Sequence, residues 1–413
     1  MTLSLVIFLF FVRGFCTVLT ETLVPKLKGV FELTYTEVML TQFCFYIGFF
    51  IFSVPAAHIL ARIGYARAIV LGSCITMLGC LIFSPAAYLG RYPVFLAALF
   101  VLAAGITLLQ VVTNPLISIA GPVRNSHSRL NLAQAFNSLG TTLAPLAGAW
   151  LFLGPAAPPA SARTAVIGGF AQNSDEHALQ LPFLAIAAVV GIVALVFWHG
   201  RKRPALELNV TRPTPAFGFR LLKNLPLLFG VISIFVYVGA EVSIGSLIIS
   251  YLTQRSILAI TLTQAGELAT FYWGAAMCGR FIGAAALRVV PPAGALSICG
   301  ALAGLLTVAS LSMTGTLAAI AIISIGLFNS IMFPTIFALA LEELGPDKPE
   351  GSGMLCMAIV GGAILPVLTG VVADSRGLAL ALLVPAACYL WIAFYGTYMG
   401  RKLIRESVIQ AHR

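Results

Sequence analysis

Residues 93–120 read PVFLAALFVLAAGITLLQVVTNPLISIA, a run without a single charged side chain. It exceeds the ~20 apolar residues that carry an α-helix across the hydrocarbon core of a bilayer. Working outward from it, apolar runs of spanning length recur, separated by Gly, Pro and charged residues. The spacing predicts membrane-crossing helices near 3–24, 37–60, 66–88, 93–120, 128–153 and 181–199. A second set follows near 225–253, 264–287, 292–312, 315–342, 353–373 and 378–399.

Composition says the same. Of 413 residues, 60% are hydrophobic and 9% charged, with a mean hydropathy of +1.00, whereas soluble domains carry roughly 25% charged residues. A soluble globule and a disordered chain are both excluded. About twelve spans use up nearly all the apolar residues, so no separate soluble domain is expected. The eight cysteines all lie in apolar segments and none forms a C-x-x-C pair, so they read as small buried hydrophobes. The opening MTLSLVIFLFFVRGF has neither a basic leader nor a small-residue cleavage site and reads as the first span.

The formal charge of +10 is first a statement about sidedness. With the N-terminus inside, the inner connections, the helix ends beside them and the tail gather most of the Lys and Arg residues. They include Arg62, Arg67, Arg124, Arg129, Arg201, Lys202, Arg203, Arg212, Arg220, Lys223, Arg280, Arg288, Lys348, Arg401, Lys402, Arg405 and Arg413. The outer side keeps Lys26, Lys28, Arg91, Arg163, Arg255 and Arg376. Both termini are expected in the cytoplasm, and the charge needs no nucleic-acid partner. Asn209-Val210-Thr211 is a glycosylation sequon on the wrong side.

The expected organisation is an N-terminal bundle of six helices (1–199), a basic cytoplasmic linker (200–224), a C-terminal bundle of six helices (225–399) and a short cytoplasmic tail (400–413). The halves repeat weakly. Phe45-Tyr46-Ile47-Gly48 matches Phe271-Tyr272-Trp273-Gly274, and at the same offset Arg62 matches Arg288. Asn114-Pro115-Leu116-Ile117 parallels Phe333-Pro334-Thr335-Ile336. Paired bundles leave a seam where a solute can bind near the midplane and be exposed to either side. The chain lacks a phosphate-binding loop and a nucleophile elbow, and its histidines do not group with acids, so an enzyme, a metal centre and an ATP-driven pump are not expected. The fold class is an all-α membrane protein, and transport would be secondary.

Ionisable and amide residues inside spans mark the candidate site, because lipid tolerates them only at a cavity or a partner. Glu21 shares a face with Arg13, Thr17 and Thr20 of the first span. A direct Glu21–Arg13 contact is disfavoured, since eight residues rise about 12 Å along a helix. Glu241 lies in span seven and Glu267 nearer the outer end of span eight. Gln110, Thr113 and Asn114 of span four, with Asn131, Gln134, Asn137 and Thr141 of span five, form two uncharged stripes. Amides offer donor and acceptor together, which suits a polyol; the alternative is hydrogen bonding between helices. Gln42 and Asn329 are isolated amides that would join this lining. Trp150, Trp198 and Trp391 sit near span ends, but Trp273 lies within span eight, where its ring would stack on the apolar face of a sugar.

These residues resemble the major facilitator superfamily and, within it, the fucose and glucose/galactose cation symporters. The resemblance runs along nearly the whole chain. It rests on Leu19-Thr20-Glu21-Thr22-Leu23, on Leu109-Gln110-Val111-Val112-Thr113-Asn114-Pro115, on Arg129 to Gly140 (RLNLAQAFNSLG) and on Tyr237 to Ser246 (YVGAEVSIGS). The superfamily's loop motif is degraded here to Ala57-His58-Ile59-Leu60-Ala61-Arg62-Ile63-Gly64-Tyr65-Ala66-Arg67. The resemblance implies two bundles with alternating access and a hexose entering with a cation. It implies Glu21 as the coupling carboxylate, usually Asp in relatives. A second acid of the fucose branch is replaced here by Gln110, as in the glucose/galactose branch.

The expectation is therefore a hexose:cation symporter, with proton or sodium as the ion and no other cofactor. It would work as a monomer in a bacterial inner membrane. Glu21, Arg13 and Glu241 would serve coupling. Gln42, Gln110, Asn114, Gln134, Asn137, Glu241, Trp273 and Asn329 would surround the sugar. The rivals are a sugar uniporter, a proton-driven exporter of amphipathic compounds, and a sensor that binds sugar without moving it.

Overall fold

A computed structural model describes residues 2–22, 35–89, 91–153, 175–200 and 219–411. Every regular element among them is helical. In chain order these are α1 (Thr2–Thr22), α2 (Tyr35–Leu89), α3 (Tyr92–Ile119), α4 (Ser126–Leu153), α5 (Asp175–Gly200), α6 (Leu225–Leu252) and α7 (Leu262–Ala286). They continue with α8 (Pro292–Ser312), α9 (Gly315–Asn329), α10 (Met332–Leu341), α11 (Lys348–Met357), α12 (Gly361–Arg376), α13 (Leu378–Ala381) and α14 (Leu383–Ala411). Among the described residues, eight helical stretches are long and apolar enough to cross a membrane. Large apolar side chains such as Ile282, Leu305, Leu317 and Val367 stand more than 60% exposed. In water such surfaces would associate; around this chain they face lipid.

Four stretches depart from the sequence pattern in instructive ways. Spans two and three, together Tyr35–Leu89, are two helices joined without a loop at Gly64, which leaves helical geometry with a φ of 78° that is cheap only without a Cβ. The tenth span is broken at Ser330–Ile331 into α9 and α10, and the eleventh passes through a 3₁₀ turn at Ala358–Val360 between α11 and α12. The last helix does not stop at the membrane edge near residue 399 but continues to Ala411.

The chain divides into two compact units. The first comprises Met1–Phe52, Ile63–Gln110 and Phe136–Asn209; the second comprises Ser53–Arg62, Val111–Ala135 and Val210–Arg413. In the first unit α1 and α4 meet backbone to backbone. A Cβ at Gly140 would lie 2.3 Å from the Phe11 carbonyl oxygen, and one at Gly14 would lie 2.2 Å from that of Asn137. Small residues are the means by which helices approach this closely in lipid. Phe83 seals the same unit, stacked on Phe183 with ring centroids 4.0 Å apart. In the second unit the cores of α6, α7 and α14 are filled by Tyr237, Tyr251, Tyr272, Tyr389 and Tyr395, all fully buried.

Carbonyls without a helical partner are capped by side chains. Arg129 donates through its guanidinium to the carbonyls of Ile117, Ser118, Gly121 and Pro122 at the end of α3. Ser128 Oγ caps Ala284 O at the end of α7, and the Tyr251 hydroxyl caps Ser310 O at the end of α8. The last four carbonyls of any helix need such partners.

Just before α4 turns into the bilayer, His127 is 5% exposed, with Nε2 4.0 Å from Glu342 Oε2 and Nδ1 lacking a hydrogen-bond partner among the described residues. Burial outweighs that distant carboxylate and lowers its pKa to about 4. The unfolded chain then binds more protons between about pH 6.5 and 4, so stability is lost as pH falls through that window.

Two outcomes follow. Gly140→Val abolishes monodisperse protein in detergent, while Gly370→Ala, whose Cβ meets nothing within 4 Å, leaves the yield intact; size-exclusion profiles of both decide this. On acidification from pH 7 to 4.5 the wild type loses up to about 3 kcal/mol more stability than His127→Gln, read from thermal unfolding across the pH series.

Candidate functional site

Of the residues expected to build a site, Glu21 falls in the last turn of α1 and Gln42 in the second turn of α2. The side chains of both lie outside the described residues. In the first unit Arg13 is 6% exposed, its guanidinium carbon 4.7 Å from the centroid of the Phe10 ring, and it lines a small cleft with Cys16, Ser73 and Thr76. Thr17 folds its hydroxyl back onto Arg13 O at 2.9 Å, so part of the polar face of α1 is satisfied by its own helix. Gln110 is buried on α3. Asn137 donates through Nδ2 to Phe10 O at 2.9 Å, which ties α4 to α1.

The second unit contains Asn114, Gln134, Glu241, Trp273 and Asn329. Asn114 is fully buried, and neither its amide oxygen nor its nitrogen has a hydrogen-bond partner among the described residues. A buried amide in that state demands a partner from elsewhere, a water or a solute. Gln134, on the helix that follows, is 6% exposed. Asn131, grouped by its spacing with the amides of α4, donates to Arg280 O at 2.7 Å and thereby holds a helix in place.

The cation beside Glu241 is held at a proline. Pro334 has no N–H, so the carbonyl four residues earlier, Ser330 O, loses its helical donor. The tenth span breaks there, and Arg280 Nε supplies the missing bond at 3.3 Å. The guanidinium this fixes places its terminal nitrogen 3.6 Å from Glu241 Oε1, with the two side chains 15% and 14% exposed. Beside the break, the Tyr237 hydroxyl donates to Asn329 O at 3.2 Å, and Asn329 Nδ2 donates to the Tyr272 hydroxyl at 2.7 Å. Trp273 meets Tyr272 edge-on, with centroids 5.1 Å apart at 82°, and stays 47% exposed.

By sequence Arg280 counts among the inner-side positive charges and is not placed beside Glu241, where the structure puts it. The signal was available: a carboxylate within span seven needs a cation at its own depth, and Arg280 sits within span eight rather than in its loop. Among the described residues no group of His, Cys, Asp or Glu gathers as metal ligands.

A helical, multi-pass, lipid-facing protein with a weak internal repeat and buried polar residues on several spans is a membrane transporter by architecture. The Major Facilitator Superfamily profile matches residues 6–354. The chain is 44% identical over 392 residues to a glucose/galactose transporter of Brucella abortus biovar 1 (strain 9-941), covering 94% of this chain and 91% of that one. It is 31% identical over 406 residues to the L-fucose-proton symporter of Escherichia coli K12, covering 95% and 92%. A crystal structure of the Escherichia coli fucose:proton symporter FucP superposes with a TM-score of 0.82 at 29% identity, over 96% of this chain and 98% of that one. The chain belongs to the Major Facilitator Superfamily, and its fold is that superfamily's pair of six-helix bundles. It is a transporter and not an enzyme.

Asn137→Asp exchanges the donor that reaches Phe10 O for an acceptor and destabilises the protein by about 1–3 kcal/mol. Asn137→Ala costs less, because the helix retains its own bond to Phe10 O. Thermal unfolding of the two variants in one detergent measures the difference.

Proposed function

We propose that the protein imports a hexose resembling glucose or galactose by cation symport through alternating access. The 44% identity to a named glucose/galactose transporter along almost the full length of both chains carries this reading. The residues support it. Asn114 offers a buried amide in want of a partner, with Gln110 on the same helix and Gln134 on the next. A neutral polyol satisfies such groups without bringing net charge into the bilayer. The sugar would sit among Gln42, Gln110, Asn114, Gln134, Asn137, Glu241, Trp273 and Asn329, and no cofactor would be needed beyond the coupled ion.

Coupling is assigned to Glu21, with Arg13 setting its electrostatic surroundings and Glu241 assisting. The ion is a proton or sodium. The setting is the inner membrane of a bacterium, both termini cytoplasmic by the distribution of Lys and Arg, and the working unit is a monomer. One residue favours uniport as a second reading: Gln110 cannot exchange a proton where the fucose branch carries an acid.

Radiolabelled glucose uptake into proteoliposomes, with pH and sodium gradients imposed separately, tests both readings. Symport predicts uphill accumulation under one gradient. Counterflow without accumulation under either would establish the uniporter, and absence of both would point to the exporter or to another hexose. Glu21→Gln is expected to abolish uphill accumulation while retaining counterflow, measured in the same vesicles.

A further inference from the structure

On α6 and α7 an aromatic plane and a charge pair share one wall. Trp273 and Arg280 lie about two turns apart on the same face of α7. Glu241 and Gly245 lie one turn apart on the same face of α6. The two helices meet at both points. A Cβ at Gly245 would lie 2.7 Å from Trp273 Cζ2, so the indole rests where α6 presents no side chain. One stretch further along, Arg280 stands 3.6 Å from Glu241.

That separation exceeds a hydrogen bond, and both side chains retain some exposure. The guanidinium is nevertheless not loose, since Nε is anchored on the carbonyl that Pro334 frees. An anchored donor and a carboxylate acceptor therefore stand side by side, both largely buried. Adjacent hydroxyls of a pyranose present the complementary pattern: one donates to a carboxylate oxygen while its neighbour accepts from a guanidinium N–H.

We propose that Glu241 and Arg280 together read a vicinal diol of the transported sugar, Glu241 accepting from one hydroxyl and Arg280 donating to the next, with Trp273 beneath the ring. The proposal rests on the hexose reading and deepens it, making Arg280 a specificity-determining residue. It predicts a ligand with two neighbouring hydroxyls on one edge; a sugar lacking either one binds poorly.

The test pairs changes in the sugar with changes in the protein. Competition of unlabelled glucose and its four ring monodeoxy analogues against labelled glucose counterflow is measured for the wild type, Glu241→Gln and Arg280→Lys. The expected result is that two analogues deoxygenated at neighbouring positions compete at least about tenfold less well with the wild type. For Arg280→Lys one of those two discriminations collapses to within about threefold, and for Glu241→Gln the other collapses, because the missing hydroxyl no longer has its partner. If the wild type shows no adjacent pair of sensitive positions, or both variants keep its full discrimination, the diol assignment is overturned although hexose transport stands. If the wild type carries out no hexose counterflow at all, the functional reading itself has failed and the diol assignment falls with it. The wild-type panel is informative whether or not either variant folds.

Discussion

Lipid supplies no hydrogen bonds, so every backbone group this chain carries into the membrane has to be satisfied by the protein. The prolines within its spans are where that constraint becomes visible. Pro115 and Pro334 occupy repeat-related positions, and each removes the donor for a carbonyl four residues earlier. In the first repeat that carbonyl belongs to Val111, and Ser352 Oγ donates to it at 2.8 Å while α3 continues unbroken past the proline. In the second it belongs to Ser330; there the helix breaks, and the donor is the guanidinium of Arg280.

The two solutions have different consequences. A serine hydroxyl closes the account of one carbonyl and asks for nothing further. An arginine brings a positive charge into the membrane, and a buried charge without a counter-charge costs several kcal/mol. Glu241 meets that need from the neighbouring helix. The break in the tenth span also exposes Asn329 O, which Tyr237 takes, and positions Asn329 to bind Tyr272. One missing N–H thus leads by successive satisfaction to a polar cluster in the core of the C-terminal half.

Class and span positions were legible because they rest on length and hydropathy, which survive without any knowledge of contacts. The apolar run at 93–120 became α3 with its ends shifted by one residue. What pattern could not show was which partner a polar side chain takes. Asn131, Asn137 and Asn114 look alike as amides on one stripe or another, yet the first two donate to carbonyls of neighbouring helices and the third finds nothing among the described residues. Distance along the chain separates these outcomes: Asn137 and Phe10 meet only because Gly14 and Gly140 let two helices touch. The pairing of Arg280 with Glu241 was hidden for a related reason: a charge near a helix end satisfies the inside-positive rule as well as it satisfies a carboxylate. The break at Ser330 was implicit in Pro334, but Pro115 shows that a proline alone does not decide whether a membrane helix breaks.

The charge arrangement also bears on what the C-terminal half can bind. Glu241 and Arg280 cancel, and the residues around them, Tyr237, Tyr272 and Asn329, are uncharged hydrogen-bonding groups whose mutual bonds are already formed. A cationic solute drawn to Glu241 would leave Arg280 without its counter-charge, and an anionic one drawn to Arg280 would strand the carboxylate; either exchange carries the penalty of a broken buried pair. A neutral solute that bridges the two avoids both costs, since it adds hydrogen bonds while the charges continue to compensate each other. For a solute bound as proposed above, electroneutrality at this point would select against charged ligands before shape enters, and would leave shape and hydroxyl geometry to discriminate among neutral ones.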